Sequence, residues 1–594
     1  MIQNSEFKIK NLSLILLLIV IGFSIYAFNL DNPLFWDDTD WIVNNPFARS
    51  FSWENVKNWF TQNILAGIGL GSNYYRPFLL FTFTFNYLLG GNGPVGYHLL
   101  SNTLHIANAV LIFLILFSVF RNRFISFWTS LIWLVHPLQT EAVTYISGRG
   151  DPLNVFFMLL ILYLLINDLR SRLSTGLVLL ILALLSRETA IIFPLLFMVF
   201  YISFIVDNPR FDLGGTKGRT FLNHLKKAFR KALPYFGIVF VYGILRLTVL
   251  NFENTLNFYS KANLYTESLS VRMYTFLNIL WTYAGLMIVP LGQHMERSVT
   301  IYTYFWNLPV ASSFIVIITV LAVLRYLYKR QPTTHNPQPT TFKVWFFAVG
   351  WFFVNLSMTS GVTPINAQLY EHWLYLALLG PIVLTVYYLN LLIQKYSKAV
   401  KIAVILLLAA FVSFFSILSI KRNIIWGDPI KFFEDILKYE PDGARINNNL
   451  GNLYYNKDDI EKAEEYYWKA VSIEDNFPQP HFNLGSILQA RGDIRGAIVE
   501  FEKALEIDPN FPYAYQNLSI IYAGQGDLVN ATNVLEKLKI ITPYNPRIYY
   551  NLALVYLERK DIESARQNLR DGLKYGQFDP ETERLMEELI QRLQ

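Results

Sequence analysis

The chain has 594 residues, of which 53% are hydrophobic and 16% are charged, and because a soluble protein carries about a quarter charged residues, one uniform globular enzyme is not expected. It has no cysteine, which excludes disulfides, thiolate metal sites and cysteine nucleophiles. The net charge of +6 does not indicate nucleic-acid binding, because the basic residues are spread between apolar runs and are not gathered in one patch.

The charge is divided unequally along the chain. Residues 1–420 contain 45 charged residues and have a net charge of +13, whereas residues 421–594 contain 49 and have a net charge of −7. We therefore predict two domains, a transmembrane domain over residues 1–420 and a different, water-exposed domain over residues 421–594.

The first 420 residues contain apolar stretches of about the length that crosses a bilayer. The stretch 273–291 is predicted to be a non-spanning or re-entrant helix, because counting it as a span would move two basic loops to the outer side. With Lys8 and Lys10 in the cytoplasm, eleven spans place everything after residue 420 outside. The predicted spans are 11–29 (a signal anchor), 97–119, 124–136, 152–167, 174–186, 189–206, 234–250, 308–328, 342–358, 372–394 and 399–420.

Polar and charged residues gather in loops that this topology places on the outer side. Ionisable residues at the ends of spans are costly unless they pair or line a wet cavity, so their shared side predicts a functional site. The loop segments concerned are 35–40, 44–46, 74–77, 136–141, 147–151, 186–188 and 370–375.

Two residue types in these loops indicate the chemistry. The adjacent carboxylates Asp37 and Asp38 suit a general base or a divalent-metal ligand pair, and arginines at several loop edges suit bidentate binding of a lipid phosphate. A glycosidase needs a second carboxylate to protonate the departing oxygen, but a sugar that leaves from a phosphate needs no such acid. One carboxylate base and several arginines therefore suffice for sugar transfer with inversion.

From residue 444 to residue 579 the sequence repeats four times with a period of 34 residues. Small residues recur where two helices pack closely, and proline recurs in the turns, which is the pattern of tetratricopeptide (TPR) repeats. A further helix is predicted over residues 430–439. The positions in register include Leu450, Leu484, Leu518 and Leu552, then Ala463, Ala497, Ala531 and Ala565, then Tyr467, Phe501, Leu535 and Leu569.

Such an array has a concave groove that suits an extended peptide. Asn448, Asn483, Asn517 and Asn551 are predicted to lie near its inner face, where their amides would hold a peptide backbone. A role as ordinary polar surface residues is the alternative.

A series of short motifs runs through the membrane part and its loops. In this order, and followed by TPR repeats, the motifs resemble the transmembrane-and-TPR O-mannosyltransferases (the TMTC family) of the GT-C glycosyltransferases. The motifs are Trp36-Asp37-Asp38, Asn45-Pro46, Tyr75-Arg76-Pro77, Gly96-Tyr97-His98-Leu99, His105, His136-Pro137, Thr140-Glu141-Ala142-Val143, Gly148-Arg149-Gly150-Asp151 and Arg187-Glu188.

The resemblance implies an all-α, polytopic fold with an active site open to the lumen or periplasm, a polyprenyl- or dolichyl-phosphate sugar donor and a Ser/Thr hydroxyl acceptor. It implies that either Asp37 or Asp38 is the base, and the same pair is the predicted place for any Mg²⁺ or Mn²⁺. The residues predicted to bind the donor phosphate are Arg76, Arg149 and Arg187, and those predicted to shape the site are His98, His136, Glu141, Asp151, Glu188, Glu371 and His372.

We therefore predict a glycosyltransferase that lies in a bilayer, uses a polyprenyl-phosphate-linked sugar, and binds an acceptor protein through its repeats, without a nucleic-acid partner. The absence of cysteine and the small loops favour a prokaryotic cytoplasmic membrane, with the active site and the repeats on the outer side. Two alternatives stay open: a non-catalytic TPR scaffold for cell-envelope assembly, and a ligase or polymerase of lipid-linked glycans.

Overall fold

The computed structural model describes residues 2–167, 172–206, 221–252, 264–331, 339–362, 368–576 and 579–593. Within these ranges the elements are helices and no strand occurs, which confirms the all-α prediction. The chain divides into two compact units: residues 1–34 with 75–428, and residues 35–74 with 429–594. This division differs from the sequence-based boundary at residue 420, because the loop 35–74 is grouped with the repeats.

The first unit consists of apolar helices and short helical turns. Eight helices in the described part of the chain are long and apolar enough to cross a membrane, and the pair Glu371–Ala377 and Leu379–Lys395, bent by 52°, makes a ninth. Its α-helices are Ile2–Tyr26, Pro77–Gly90, Pro94–Phe120, Arg123–Val135, Thr140–Thr144, Gly150–Asn167, Leu173–Ser186, Phe193–Phe200, Phe221–Leu247, Leu264–Glu267, Leu269–Ile288, Leu308–Lys329, Thr341–Leu356, Leu374–Ala377, Leu379–Lys395 and Lys398–Trp426.

These helices mark the chain as an integral membrane protein. The nine candidates, together with the shorter apolar helices Arg123–Val135 and Leu173–Ser186, correspond to the eleven predicted spans. The ambiguous stretch forms the helix Leu269–Ile288, which is not among the long apolar candidates, and the short apolar helix Pro77–Gly90 was not predicted. The number of spans and their direction stay predictions.

A buried polar network ties the start of the first unit to its last helix. Asn29 donates to Asn102 Oδ1 (3.1 Å) and to Thr144 Oγ1 (3.0 Å), and Thr144 donates to Asn423 Oδ1 (2.6 Å). Asn32 donates to the Asn423 carbonyl (2.9 Å). Hydrogen bonds between membrane helices stabilise by about 0.6 kcal/mol each on average. Their main effect here is to fix how the chain leaves its first helix.

The second unit contains the predicted repeats. Four helix pairs follow the short helix Pro429–Leu437, and the helix Pro580–Arg592 covers the last pair. The pairs are Ala444–Tyr455 with Ile460–Ile473, Pro478–Ala490 with Ile494–Ile507, Pro512–Gly524 with Leu528–Ile541, and Pro546–Glu558 with Ile562–Leu573. The four alanines in register are fully buried. A Cβ on Gly485 would stand 2.8 Å from the Phe501 ring, so small residues are needed where the two helices touch.

The loop 35–74 packs on both ends of this array. Phe35 and Trp36 make edge and tilted ring contacts with Phe432 and Phe433 at centroid distances of 5.3–5.9 Å. Trp36 has φ +61°, in the left-handed region, which costs roughly 1–2 kcal/mol for a residue with a Cβ. The aromatic contacts hold this strained residue immediately before Asp37.

The loop reaches the far end of the array through Phe47, Gln62 and Gly69. Phe47 packs edge-on against Tyr544 at 5.9 Å, and Gln62 donates to the Tyr544 hydroxyl (3.1 Å). Gly69 has φ +78° and its backbone lies against Thr542, so that any Cβ at this position would collide with the threonine methyl. Glycine is therefore required there for both reasons.

A buried ion pair in the second repeat predicts a pH dependence of stability. The hydrogen bond between His481 Nδ1 and Glu500 Oε2 (2.8 Å) raises the pKa of His481 above 6.5 and lowers the pKa of Glu500 below 4.5. The histidine contribution is complete below pH 6.5 and disappears as the pH rises through its raised pKa. The glutamate contribution is complete above pH 4.5 and disappears as the pH falls through its lowered pKa.

The pair should therefore stabilise the array most between about pH 4.5 and pH 6.5. We expect His481→Gln to lower the unfolding temperature more at pH 5.5 than at pH 8.5. Thermal unfolding of the full chain, followed at both pH values by hydrogen exchange of residues 478–507, measures this. An equal loss at both pH values would contradict the prediction.

Candidate active site

Four polar side chains contact one another in series inside the first unit. Arg187 Nη1 donates to Asp151 Oδ2 (2.6 Å), and Arg187 Nη2 lies 3.1 Å from His372 Nε2. His372 Nδ1 lies 2.6 Å from Glu141 Oε1. The structure thus brings together four residues from three segments of the sequence, all of which sequence analysis assigned to one site.

These contacts determine the tautomer of His372. Arg187 is only a donor, so Nε2 of His372 accepts from it, and Nδ1 carries the proton and donates to Glu141. Burial raises the pKa of Glu141 to about 7, and the positive charge of Arg422 opposes this rise. A carboxyl group whose pKa is raised in this way is suited to proton transfer near neutral pH.

A second arginine lies in a separate ion pair. Arg76 contacts Glu188 Oε2 through both Nε and Nη2 (3.1 Å each), and the Tyr75 backbone N–H donates to Glu188 Oε1 (3.2 Å). Arg246 and Arg187 also act electrostatically on Glu188. Three positive charges, those of Arg76, Arg187 and Arg246, thus act on the carboxylate of Glu188.

Glu371 has partners that sequence analysis did not assign to the site. It accepts from Arg297 Nη2 (3.1 Å), from Gln293 Nε2 (3.0 Å) and from the His294 backbone N–H (3.0 Å). The signal available in the sequence is the mostly polar segment 293–297, which follows Pro290 after two residues and is on the predicted outer side. Arg422 is buried, and its positive charge interacts with the carboxyl groups of Glu141 and Glu371. Sequence analysis did not assign Arg422 to the site either.

A cavity of about 40 Å³ borders Asp151 and His372. Asn154 and Thr189 line it and bond to each other, Asn154 Nδ2 donating to Thr189 Oγ1 (2.7 Å). Asn154 Oδ1 has no hydrogen-bond partner within the described ranges. The cavity has room for about three water molecules, so a larger ligand enters only if the surrounding side chains move.

Arg149 lies elsewhere and is fully buried. Its guanidinium donates to Ser101, Thr82, Asn86 and the Tyr97 carbonyl at 2.8–3.2 Å. It also stands over the Phe83 and Tyr97 rings. The guanidinium N–H groups thus donate to other residues of the protein, and this arrangement is typical of an arginine that holds helices together.

Two of the predicted histidines, His98 in the helix Pro94–Phe120 and His136 at the end of the helix Arg123–Val135, bond to the backbone. His98 Nε2 donates to the Asn32 carbonyl (3.0 Å). His136 Nε2 donates to the Met287 carbonyl (3.2 Å), and its Nδ1 accepts from the Leu138 N–H (3.3 Å). Both side chains are buried, and their contacts orient loops.

The predicted catalytic pair belongs to the second unit. Asp37 is exposed, whereas Asp38 is 3% exposed and begins the short helix Thr39–Val43. In the described part of the chain no three acidic, histidine or cysteine side chains converge as metal ligands, and this pair offers two carboxylates in unlike surroundings. A metal at Asp37 and Asp38 stays a prediction.

The asparagines of the array bond mainly to one another. Asn483 Nδ2 donates to Asn448 Oδ1 and to Asn452 Oδ1 (2.9 Å each), and Asn517 Nδ2 donates to Ser486 Oγ (3.3 Å). Asn448 is buried, and Asn551 lies half-buried on the corresponding helix of the fourth repeat. These contacts connect successive repeats, and peptide binding by the four asparagines stays a prediction.

Comparison with protein-family models supports the array. Models described as tetratricopeptide repeat match residues 444–477 and 522–589, and a model described as TPR repeat matches residues 485–526. The predicted repeats are confirmed.

Comparison with curated proteins extends to the membrane unit. Protein O-mannosyl-transferase F38B6.6 of Caenorhabditis elegans is 25% identical over 481 residues, 78% of this chain and 63% of that protein. Human protein O-mannosyl-transferase TMTC1 is 36% identical over 143 residues, 23% of this chain and 16% of that protein. The chain is similar to the TMTC protein O-mannosyl-transferases. This confirms the predicted resemblance.

The matches cover less than two thirds of the length of these TMTC relatives. Human TMTC3 is 42% identical over 85 residues, 14% of this chain and 9% of that protein. Among solved structures, the crystal structure of MamA is 22% identical with a TM-score of 0.23, and the match covers 25% of this chain and 80% of MamA.

Proposed function

We propose that this protein is a membrane glycosyltransferase that moves a sugar from a polyprenyl-phosphate donor to Ser or Thr hydroxyls of a polypeptide. The observation that carries the proposal is the series Asp151, Arg187, His372 and Glu141, beside a small cavity in a unit of apolar helices. Similarity to proteins named as O-mannosyl-transferases supports the reaction class and favours mannose. We place the reaction on the outer face of a prokaryotic cytoplasmic membrane.

In this proposal Arg76 and Arg187 bind the donor phosphate. The donor is a phosphodiester with one negative charge, and breaking the bond between the sugar and the phosphate oxygen leaves a second charge on the lipid phosphate. Guanidinium groups held in place before the reaction stabilise that new charge. Each arginine now pairs with a carboxylate, Glu188 or Asp151, and phosphate oxygens would replace or join that partner. We assign Arg149 no contact with the donor.

The second role is that of the base. Asp37 accepts the proton of the acceptor hydroxyl. The hydroxyl oxygen attacks the anomeric carbon from the side opposite the phosphate, and the configuration of that carbon is inverted. Asp37 is exposed and Asp38 is buried, so we assign the base to Asp37 and a positioning role to Asp38. No step is routed through a metal.

The test is transfer in vitro. Purified full-length protein in lipid nanodiscs receives mannosyl- or glucosyl-phosphoryl polyprenol, radiolabelled in the sugar, and a peptide that contains Ser and Thr. We expect label in the peptide and release of polyprenyl phosphate. Folded protein that transfers label from no donor would contradict the proposal and favour the scaffold alternative, whereas transfer of whole lipid-linked glycans alone would favour the ligase.

A further inference from the structure

A cavity of about 590 Å³ lies within the second unit, between the loop 35–74 and the end of the repeat array. Its volume falls in the range of about 300–1,000 Å³ that is usual for ligand pockets. The residues that line it are Asn44, Pro46, Arg49, Ala66, Gly67, Ile68, Gly69, Tyr513, Thr542, Tyr544, Asn545, Arg547, Asp579 and Pro580. We call this space the loop–repeat cavity.

Helix ends and turns form the repeat side of the loop–repeat cavity. On the repeat side its walls come from the start of a first helix at Tyr513, from the turn at Thr542 and Asn545, and from the turn at Asp579. The four asparagines of the array, Asn448, Asn483, Asn517 and Asn551, which we call the asparagine ladder, in contrast use their amides mainly to join repeats. The array therefore offers more open binding groups at these helix ends and turns than at the asparagine ladder.

The walls combine the two kinds of group that recognise an extended polypeptide. Amide and hydroxyl side chains, such as Asn44 and Tyr513, can bond to a peptide backbone, and Pro46, Ile68 and Pro580 offer apolar surface between them. Two arginines also line the cavity: Arg547 Nε donates to Asp579 Oδ2 (2.7 Å), and Arg49 Nη2 donates to the Val43 carbonyl (2.8 Å).

The same loop carries the proposed base. Asp38 begins the short helix Thr39–Val43, which ends at Asn44 in the cavity wall. Within that helix, Asp40 accepts from Asn44 Nδ2 (3.4 Å) and acts electrostatically on Tyr513 of the opposite wall. One turn of helix therefore separates the cavity wall from the Asp37-Asp38 pair.

We infer that the loop–repeat cavity binds an extended, Ser/Thr-containing segment of the acceptor polypeptide and holds it beside the loop that carries Asp37. The inference rests on the proposed function for the identity of the ligand. It places the acceptor between the loop and the third and fourth repeats, at a location different from the asparagine ladder.

Two cavity-filling variants of the full-length protein test this inference. Ala66→Trp and Asn44→Trp each put an indole into the loop–repeat cavity, and Asn44 is exposed, so its variant should fold. Lys57→Trp is the matched control, because Lys57 is exposed on the same loop and does not line the cavity. The probe is a set of short fluorescein-labelled peptides with one central Thr, and fluorescence anisotropy measures its binding without any sugar donor.

We expect both cavity variants to weaken peptide binding about tenfold or more, with the control unchanged and with the KM for the sugar donor unchanged. Unchanged peptide binding in the two variants would overturn the inference, as would a wild-type protein that binds no peptide. The inference would also be overturned if Asn483→Ala lost peptide binding while the two cavity variants kept it. It would be overturned too if the wild type bound free oligosaccharides and no peptides. Peptide binding that the cavity variants weaken, without any sugar transfer by the wild type, would support the cavity and refute the proposed function.

Discussion

Asp37→Asn is expected to lower kcat for sugar transfer by about 10²- to 10⁴-fold, the usual contribution of a general base. The asparagine amide cannot accept the hydroxyl proton, but it keeps the size of the side chain. Asp37 is exposed, so the unfolding temperature should not change. Initial rates with the radiolabelled lipid donor and a Thr peptide measure the effect.

Asp31→Asn is the matched control, since Asp31 is an exposed carboxylate six residues earlier in the chain. It should leave kcat unchanged. Full activity in Asp37→Asn would remove Asp37 from the mechanism and leave Asp38 as the remaining candidate of the pair.

Arg187→Met is expected to abolish transfer and to destabilise the membrane unit. Removal of the guanidinium leaves Asp151 buried without its partner at 2.6 Å, and breaking a buried ion pair costs about 3–5 kcal/mol. It also removes one of the two groups proposed to bind the donor phosphate. Thermal unfolding in detergent and the transfer assay measure the two effects.

The double variant Arg187→Met/Asp151→Asn separates the two effects. Removing both charges together is often nearly neutral for stability, so the unfolding temperature should return towards that of the wild type while transfer stays absent. Arg149→Met is the comparison, because Arg149 is buried and fully bonded to the protein: its loss should cost stability without raising the KM for the donor. Recovery of transfer in the double variant would show that Arg187 is merely structural.

Periodic packing explains why the repeats could be predicted residue by residue. A residue such as Ala463 is buried in contact with its own helix pair, and the same contact recurs after 34 positions. Local spacing therefore contains the information needed. The apolar helices could be predicted for a similar reason, because a bilayer selects their length and composition.

The partners of the charged residues could not be predicted in this way. Arg187 and Glu188 are neighbours in sequence, but Arg187 has an extended backbone (φ −161°, ψ 138°), and in extended chain successive side chains point in opposite directions. Arg187 accordingly pairs with Asp151, and Glu188 pairs with Arg76. A motif shows that both charges are present, but the backbone conformation between them decides their partners.

The partners of Arg149 could not be predicted from the sequence for a related reason. Its charge and its motif resemble those of a phosphate ligand, yet its partners Thr82, Asn86 and Ser101 come from helices about 50 to 70 residues earlier. These polar residues sit inside apolar stretches and give no local signal that they surround a guanidinium. Its contribution to donor binding is therefore not part of our proposal, in contrast to that of Arg76 and Arg187.

The packing of the loop 35–74 on the array limits which segments can be exchanged between this protein and a relative in a chimera. Phe35 and Trp36 pack on Phe432 and Phe433, and Gly69 fits against Thr542, so loop and array must match at both ends. An array exchanged for that of a relative would keep the membrane helices intact and still lose these fits. Chimeras that carry residues 35–74 and 429–594 from one parent should keep them. Acceptor preference would then depend on two separate stretches of sequence, residues 35–74 and 429–594, which have to be exchanged together.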